Sequence, residues 1–531
     1  MSCVTVPLQY HRQLCEMESM LALRAAIAAV VAVAACFPVA RGFSVPSLGH
    51  THPSGAGLTS RNPSLETHRV DSYRPPSFRR GTPPPPPLTM VATTPVVKRV
   101  AIIGAGVGGL TLANALSAGA MAVDEVQVFE KFDSNKPGIG GGVQINSGAV
   151  ILARLGLGDA IRAGGNPVER ILSRTIGGRV VLDLDVVKMV RSDPKRKAMM
   201  VDNGTPMLFT IMRDRLMQIL TEGLPSGVVN TRREVVSVEE SPSGATLRFG
   251  DGSAQGPFDL VVGADGIKGA ARKAVKAARG RGGGGGGGGA NGGDAIYSGI
   301  RIQYGVASAG QRPEGSEREV HQWFGGDTYG LSATYQGVGD EKFEMVAAIY
   351  QDRDRKEENA VWDQVEAKEA CLQRLDERGF PDEMKASAEA SDRFYELGVY
   401  YRNPLEGWVS RGEGQVVLLG DAAHAMPPNL GQGANQAIQD AYCLAERLAD
   451  LNRGVAYDGS LVDALQDYER ARKPDTALVL AKSVFVGAVE TLGGAAGGGA
   501  AGEAFRDNFF FGMWKAGVAE QVFMDGAMPK V

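Results

Sequence analysis

The amino-acid sequence predicts an α/β protein with two domains, the second of them inserted into the first. Two observations predict the first domain. The apolar run RVAIIG at residues 99–104 opens into a glycine-rich helical pattern, and a second apolar run, VQVFE, follows at 126–130. A third observation predicts the insertion, because residues 295–402 change to alternating, aromatic-rich runs such as YSGIRIQYGV. Such alternation is typical of a mixed or antiparallel sheet.

These patterns divide the chain into segments. The predicted segments are a targeting presequence with a disordered linker at 1–97, the first domain at 98–280 and 403–490, a flexible glycine-rich loop at 281–293, the inserted domain at 294–402, and a C-terminal tail or helix at 491–531. Apolar spacing predicts helices over Ala434–Asp450 and Leu461–Lys473. The run RGGGGGGGGANGG within the loop has no side chains with which to pack a core.

Composition is ordinary for a soluble globular protein. The chain has 531 residues, of which 44% are hydrophobic and 22% charged, and a net charge of −4, so nothing suggests a nucleic-acid partner. Of its five cysteines only Cys371 and Cys443 lie beyond residue 97, and no CxxC pair is present. This argues against a disulfide framework or a zinc site, and no metal is predicted.

Residues 1–97 have the character of a targeting sequence. The uncharged stretch at 25–40 is shorter than the roughly 20 residues that span a bilayer and fits the apolar core of a signal peptide. Phe43 follows a small-residue cleavage pattern, and residues 43–97 are rich in Ser, Thr, Pro and Arg. This arrangement resembles the bipartite presequences of algae with secondary plastids. We therefore predict a plastid location, with the secretory pathway as the alternative.

The first candidate site is the glycine-rich turn after residue 103. Gly104, Gly106 and Gly109 form GxGxxG between a strand and a helix, which is the Rossmann-like arrangement for a pyrophosphate. The first glycine permits the turn, the second lets the backbone approach the phosphates, and the third lets helix pack on strand. Glu130 ends the next strand, where an acid bonds a ribose hydroxyl. The pattern predicts an ADP-like nucleotide, as in FAD or NAD.

Three motifs together resemble one family. VAIIGAGVGGLTLANAL (100–116), DLVVGADGIKGAAR (259–272) and VVLLGDAAHAMPPNLGQGANQAIQDA (416–441) are similar to the single-component FAD monooxygenases. That superfamily includes aromatic hydroxylases, such as salicylate and p-hydroxybenzoate hydroxylase, and zeaxanthin epoxidase. The match extends from about Lys98 to Pro474. It implies a p-hydroxybenzoate hydroxylase-like fold, with a Rossmann-like FAD-binding domain and an inserted substrate domain.

The resemblance implies that FAD is the cofactor and which residues contact it. Besides the three glycines and Glu130, the implied cofactor-binding residues are Val143, Arg213, Asp265, Asp421, Pro428, Gly433, Ala434 and Asn435. Asp421 would contact the ribityl and pyrophosphate region, and Pro428 would line the isoalloxazine ring. The N–H groups of residues 433–435, at a helix start, would face N1 and O2 of the flavin. Gly269 departs from the family, since most members have serine there.

The resemblance also implies a reaction cycle. NADPH or NADH reduces FAD as a transient partner, O2 adds at the flavin C4a, and the hydroperoxide delivers one oxygen atom to an apolar or aromatic small molecule. Both hydroxylation and epoxidation fit, the latter of a carotenoid such as zeaxanthin. A non-oxygenating flavin oxidoreductase, such as an isoprenoid reductase, and a degenerate FAD-binding scaffold are the alternatives. The sequence indicates no oligomeric state.

No side chain is assigned as catalytic. His321, in EVHQWFGGDTYG, is a candidate base for ionising a phenol, although a buried structural histidine fits the pattern better. Tyr297, Tyr304, Tyr329 and Tyr335 are candidates to line a pocket or to pack in a core. The segment NFFFGMWKAGVAEQVF at 508–523 fits either a packed terminal helix or a peripheral membrane contact.

Overall fold

The computed structural model describes residues 96–117, 119–133, 141–192, 206–280, 295–352, 364–494 and 498–531. The predicted presequence lies outside the described residues, except for its last two positions. The predicted glycine-rich loop at 281–293 lies outside them as well.

The strands and helices are numbered here in chain order. The strands are β1 (Arg99–Ile103), β2 (Glu125–Phe129), β3 (Gly142–Ile145), β4 (Asn166–Pro167), β5 (Arg170–Thr175), β6 (Val180–Asp185), β7 (Phe209–Met212), β8 (Val229–Asn230), β9 (Val235–Ser241), β10 (Gly244–Phe249), β11 (Ala254–Phe258), β12 (Leu260–Gly263), β13 (Ile296–Ser308), β14 (Glu319–Gly325), β15 (Thr328–Gln336), β16 (Lys342–Gln351), β17 (Arg393–Tyr401) and β18 (Val416–Leu418). The helices are α1 (Val107–Ser117), α2 (Ser147–Arg154), α3 (Gly158–Gly164), α4 (Val186–Arg191), α5 (Arg213–Glu222), α6 (Ala271–Gly280), α7 (Gln364–Glu377), α8 (Asp382–Ala390), α9 (Asp421–His424), α10 (Gly433–Asn452), α11 (Leu461–Glu490), α12 (Gly499–Lys515) and α13 (Val518–Ala527).

A parallel sheet lies at the centre of the first domain. Its strand order is β18-β12-β1-β2-β8, and Val100 of β1 lies opposite Leu260 on one side and Val126 on the other. A parallel sheet is covered on both faces, which explains why β1, β12 and β18 are almost entirely apolar. Helix α1 follows β1 directly. The predicted Rossmann-like fold is confirmed.

A second, mixed sheet is larger. Its main path runs β17-β13-β16-β15-β14-β5-β6, and β3, β4 and β7 join it through the pairing of β7 with β15. Most pairs are antiparallel, but β14 pairs with β5 in parallel. The mixed sheet is therefore confirmed. It also takes strands from residues 142–212, which the sequence pattern places in the first domain, because such short apolar runs do not show which sheet they join.

The two long helices of the C-terminal half follow the apolar pattern. Helix α10 covers the predicted Ala434–Asp450 and extends it by a residue or two at each end. Helix α11 begins at the predicted Leu461 but continues through Pro474 to Glu490. A proline inside a helix costs about 3 kcal/mol. Burial of Thr476, Val479 and Leu480 on the following turns opposes that cost.

The C-terminal helices α12 and α13 pack onto the protein. Phe510 stacks on Phe324 of the mixed sheet, with ring centroids 5.0 Å apart and an interplanar angle of 6°. Trp514 and Phe523 pack against the main apolar core. Among the helices of the described residues, none combines the length and the apolarity needed to cross a bilayer. A peripheral membrane contact of residues 508–523 stays a prediction.

Candidate active site

The glycine-rich turn brings β1, α1 and β12 into close contact. Gly104 has φ of +101°, and a Cβ there would lie 2.5 Å from the carbonyl oxygen of Ala264. A Cβ on Gly109 would lie 2.1 Å from the carbonyl oxygen of Gly104. At Gly106 the nearest atom to such a Cβ is 3.9 Å away. Two of the three glycines are therefore required by the fold itself, whereas Gly106 leaves open space beside the backbone.

Glu130 lies next to this turn. Its Oε2 accepts a hydrogen bond from the N–H of Ala105 at 2.9 Å, and its Oε1 accepts one from the N–H of Phe132 at 3.0 Å. These two bonds hold the carboxylate at the end of β2, beside the glycines. The structure thus brings together Gly104, Gly106, Gly109 and Glu130, as the motif predicts.

The second motif contributes a buried acid and a buried arginine. Asp265 Oδ2 accepts a hydrogen bond from the N–H of Ala271, the first residue of α6, at 3.0 Å. A Cβ on Gly269 would lie 2.0 Å from the Asp265 carboxyl carbon. Asp265 therefore caps the helix that a serine would cap in most family members. Arg272 is buried and donates to the carbonyl of Ala422 at 2.7 Å, which joins the second motif to the third.

The third motif places an acid, a proline turn and a helix start in sequence along one wall. Asp421 opens α9 and is exposed toward a cavity that it lines together with Pro428. Helix α10 then begins at Gly433 without a side-chain cap from Gln432. The first N–H groups of a helix have no partner inside the helix. Those of Gly433 and Ala434 therefore face the cavity wall with the positive end of the helix dipole.

Asn435 uses its side chain to hold two segments together. Its Oδ1 accepts from the N–H groups of Asn146 and Gly148 at 2.8 and 3.0 Å. Its Nδ2 donates to the carbonyls of Gln144 and Gly431, both at 3.0 Å. The buried amide therefore fixes the β3–α2 connection against the start of α10. Asn435 is fully buried and, unlike Gly433 and Ala434, does not line the cavity.

A buried ionic cluster lies behind the third motif. His424 Nε2 and Asp440 Oδ2 are 2.5 Å apart, and Arg472 Nε donates to Asp440 Oδ1 at 2.8 Å. Asp440 and Arg472 are both 0% exposed. Burial alone would raise the pKa of Asp440, but the adjacent His424 and Arg472 outweigh it and lower that pKa to about 2. The cluster joins α9, α10 and α11.

Val143 belongs to β3, and Arg213 directly follows β7, the antiparallel partner of β3. Arg213 opens α5 directly after β7, and its N–H donates to the carbonyl of Gly141 at 3.3 Å. Its charge interacts with that of Asp421. Val143 pairs with Ile211 in the β3–β7 ladder and lines the cavity.

The cavity itself has a volume of about 560 Å³, within the range of small-molecule sites. Most of its wall is apolar, from side chains of the mixed sheet and of the C-terminal helices, including Ile171, Leu184, Phe324, Leu331, Ile349 and Phe510. Of the four candidate tyrosines, Tyr304, Tyr329 and Tyr335 line it. Tyr297 instead donates its hydroxyl to the carbonyl of Asp352 at 2.7 Å.

His321 lies in β14, away from this cavity. Its Nδ1 is 2.7 Å from Glu383 Oε1 and its Nε2 is 2.8 Å from Glu319 Oε2. It is 4% exposed and contributes to a separate surface depression. Both ring nitrogens are therefore engaged by carboxylates. The structure does not bring His321 to the other candidate residues, and its role as a base stays a prediction.

Comparison with known proteins assigns the family. The sequence profile of the family described as "FAD binding domain" matches residues 98–483. The chain is 31% identical over 380 residues to 3-amino-4-hydroxybenzoate 2-monooxygenase PtmB3 of Streptomyces platensis, covering 71% of this chain and 84% of that protein. The chain belongs to the FAD-dependent monooxygenases. It is an oxidoreductase, and a non-oxygenating or degenerate flavoprotein finds no support among these relatives.

Two other comparisons agree with this assignment. The monooxygenase is 30% identical over 399 residues to chloroplastic zeaxanthin epoxidase of Prunus armeniaca, covering 73% of this chain and 54% of that protein. The chain thus spans about half the length of that relative. The structure of Klebsiella pneumoniae HpxO complexed with FAD and uric acid has a similar fold, with a TM-score of 0.62 and 19% identity, covering 81% of this chain and 96% of that one.

The geometry of the monooxygenase fits FAD in two respects. The open space beside Gly106 lets a pyrophosphate approach the backbone. The uncapped start of α10 presents N–H groups and a positive dipole to an electron-rich ring oxygen or nitrogen. Both features line the same side of the parallel sheet, at the carboxyl ends of its strands, where α/β sheets bind ligands.

Three residues of the site were not predicted from the sequence. Asp440 and Arg472 are the buried ion pair behind the third motif, and Glu490 lines the cavity. A signal was present in each case, because a charged residue at an apolar position of a helical pattern is rarely buried without a partner. The sequence pattern did not say which partner each would have.

Proposed function

We propose that this monooxygenase takes electrons from NADPH or NADH and hydroxylates a small aromatic substrate. The observation that supports the proposal is the cavity of about 560 Å³, whose walls are mostly apolar and which Asp421, Pro428 and the start of α10 also line. Such a cavity suits an aromatic ring beside the residues of the third motif. Apolar walls also keep water from the reacting groups.

The proposal assigns FAD to the three motifs. Gly106 would hold the pyrophosphate, and Glu130 would bond the ribose hydroxyls. The residues that would hold the isoalloxazine ring are Pro428, Gly433, Ala434, Val143 and Arg213. Asp265 keeps its cap of α6, and Asp421 would accept from ribityl hydroxyls. When bound, FAD supplies the electrons that activate O2 for transfer of one oxygen atom.

The chain's own residues then orient the ring and stabilise its charge. The dipole of α10 and the charge of Arg213 favour negative charge on the ring. Asn435 holds the β3–α2 connection against the helix start through three hydrogen bonds, and a fourth holds the turn at Gly431, so the ring site is preorganised. No proton transfer is assigned to His321, whose nitrogens bond Glu319 and Glu383.

A second candidate function is epoxidation of the terminal ring of a carotenoid. It is favoured by the segment HAMPPNLGQG, which resembles the epoxidase form, and by the 30% identity to a zeaxanthin epoxidase. An alkene needs no base, because its electrons attack the activated oxygen directly. One end ring of such a molecule would occupy the cavity while the polyene extends outward.

An anaerobic titration tests the function. Without a substrate, we expect NADPH or NADH to bleach the flavin absorbance of the purified protein slowly. With an accepted phenol or with zeaxanthin present, the bleaching should be at least about tenfold faster. In air, one ¹⁸O atom from ¹⁸O₂ should enter the product for each nicotinamide oxidised. A protein that binds flavin but is not reduced by either nicotinamide, with any compound, would overturn the proposal. Peroxide release without labelled product would indicate an oxidase.

We also propose that residues 1–97 deliver the enzyme to a plastid. The support is their signal-like apolar stretch, the following Phe43 and the Ser-rich, acid-poor remainder. A fusion of residues 1–97 to a fluorescent protein should localise to the plastid of an alga with secondary plastids. Replacing Phe43 by alanine should prevent the fusion from reaching the plastid stroma. Secretion of the unchanged fusion to the medium would support the secretory alternative instead.

A further inference from the structure

Glu490 is a buried acid in the wall of the cavity, at the last position of α11. It is 6% exposed, and its Oε2 accepts a hydrogen bond from Asn429 Nδ2 at 2.7 Å. Asn429 belongs to the short 3-10 turn Pro428–Leu430, so the acid is linked directly to the proline turn that lines the same cavity. Glu490 also lies beyond residue 483, where the family match ends.

Asn429 presents an acceptor with no partner. Its Oδ1 is buried and forms no hydrogen bond within the described residues. The side-chain amide of Asn429 packs against the backbone of Gly487, where an added Cβ would lie 2.7 Å from that same oxygen. A glycine at this position of α11 is thus what lets the amide sit beside Glu490. A buried acceptor without a partner is costly, and a ligand hydroxyl would satisfy it.

A tyrosine and three charged side chains share the cavity with Glu490. Tyr329 of β15 faces it and bonds Gln322 of β14. Lys482 of α11 lines the same cavity and interacts with Asp525 of α13 and with Lys530. Among the described residues Glu490 forms no ion pair. Burial raises the pKa of Glu490 to about 8, with the Asn429 bond opposing the shift. The acid is therefore mainly neutral at pH 7 and carries a proton to donate.

We propose that Glu490 and Asn429 bind a hydroxyl group on the ring of the substrate. The neutral carboxyl of Glu490 donates to the hydroxyl oxygen, and Asn429 Oδ1 accepts the hydroxyl proton. A site built to hydrogen-bond a hydroxyl rejects the analogue that lacks it, because its polar groups are then buried unpaired. The substrate class is a ring alcohol or phenol. This deepens the proposed function and rests on it, since it names the group by which that substrate is held.

Binding to the FAD-loaded full chain, without NADPH, tests the proposal. The probes are two matched pairs, 4-methylphenol with toluene and 3-hydroxy-β-ionone with β-ionone, followed by the change in flavin absorbance. At pH 7 we expect the hydroxylated member of at least one pair to bind about tenfold or more tightly. The variant E490L should lose that preference. The variant E490Q, whose amide still donates, should keep it.

The pH profile separates binding from a structural role. In the unmodified enzyme the preference for the hydroxyl should fall as the pH rises through about 8, where Glu490 loses its proton. E490Q should keep its preference to pH 9.5, because its amide does not titrate. E469Q is the control on the same helix, since Glu469 pairs with Lys473 and does not line the cavity. It should behave as the unmodified enzyme does.

Three outcomes would overturn the proposal. They are an equal preference for the hydroxyl in E490L, an unchanged preference at pH 9.5 in the unmodified enzyme, and no spectral response to any of the four probes in protein with full flavin content. A merely structural Glu490 would weaken both members of a pair equally. The binding test uses oxidised flavin and needs no reductant. Failure of the proposed function would therefore appear in a separate experiment, in which NADPH and NADH do not reduce the flavin.

Discussion

Replacing Asp440 by asparagine is expected to destabilise the protein by about 3 to 5 kcal/mol, the cost of leaving a buried charge without its partner. Arg472 is fully buried, and its Nε bonds only the carboxylate of Asp440. Asp440 also accepts the N–H of Gly420, just before Asp421. We therefore expect loss of bound FAD together with loss of stability, measured by urea unfolding and by the flavin content of the purified protein.

The matched control is Asp450→Asn. Asp450 lies on the same helix and pairs with Arg453 at 2.7 Å, but its side chain is 39% exposed. Exposed pairs contribute at most about 1 kcal/mol, so D450N should keep nearly full stability and flavin. A loss for D440N no larger than that of D450N would contradict the interpretation of the cluster as a structural link.

The effect of Asp440 depends on pH with a definite sign. Its pKa is about 2 in the folded protein, below the roughly 3.9 of an unfolded aspartate. Its stabilisation is thus complete above pH 4 or so and is lost as the pH falls toward 2. The stability difference between D440N and the unmodified protein should shrink over that interval.

The second large effect is expected at the glycine-rich turn. Gly109→Ala should destabilise the protein by about 3 kcal/mol, because the new methyl group would press on the carbonyl oxygen of Gly104. Gly106→Ala should leave unfolding unchanged, since the nearest protein atom to its Cβ is 3.9 Å away. It should nevertheless weaken FAD binding about 10- to 100-fold, because the methyl group meets the pyrophosphate.

Flavin titration of the apoprotein and urea unfolding, made on both variants, would separate the two effects. Gly512→Ala is the control for an added methyl group, because a Cβ on Gly512, in α12, has no neighbour within 4 Å. It should change neither quantity by much. Equal FAD affinity in Gly106→Ala and the unmodified protein would contradict the placement of the pyrophosphate over Gly106.

The features predictable from the sequence were those encoded by neighbouring residues. The strand, glycines, helix and Glu130 occupy 32 consecutive positions from Arg99, and local chemistry alone requires them to meet. Asn435 shows the limit, because the partners of its side chain include Asn146 and Gly148, nearly 290 positions away. The motif predicted its position at the start of the helix, but not its four hydrogen bonds.

Other differences arose where tertiary contacts outweighed local preference. A proline usually ends a helix, so the pattern of α11 was predicted only to Lys473, yet burial of its later turns carries the helix to Glu490. The strands between residues 142 and 212 joined the mixed sheet because β7 pairs with both β3 and β15. Which sheet accepts a short apolar strand depends on partners far along the chain.

The part of the cavity wall that follows residue 483 in the chain has a consequence for how new activities arise in this enzyme. Val486, Glu490, Phe510 and Met513 line the cavity, and all of them follow residue 483, the last position of the family match. Substitutions in this wall can alter which molecule enters without disturbing the residues proposed to hold FAD. Part of the substrate choice is thus encoded after the stretch of the gene that specifies the proposed flavin site, and that part can mutate independently of it.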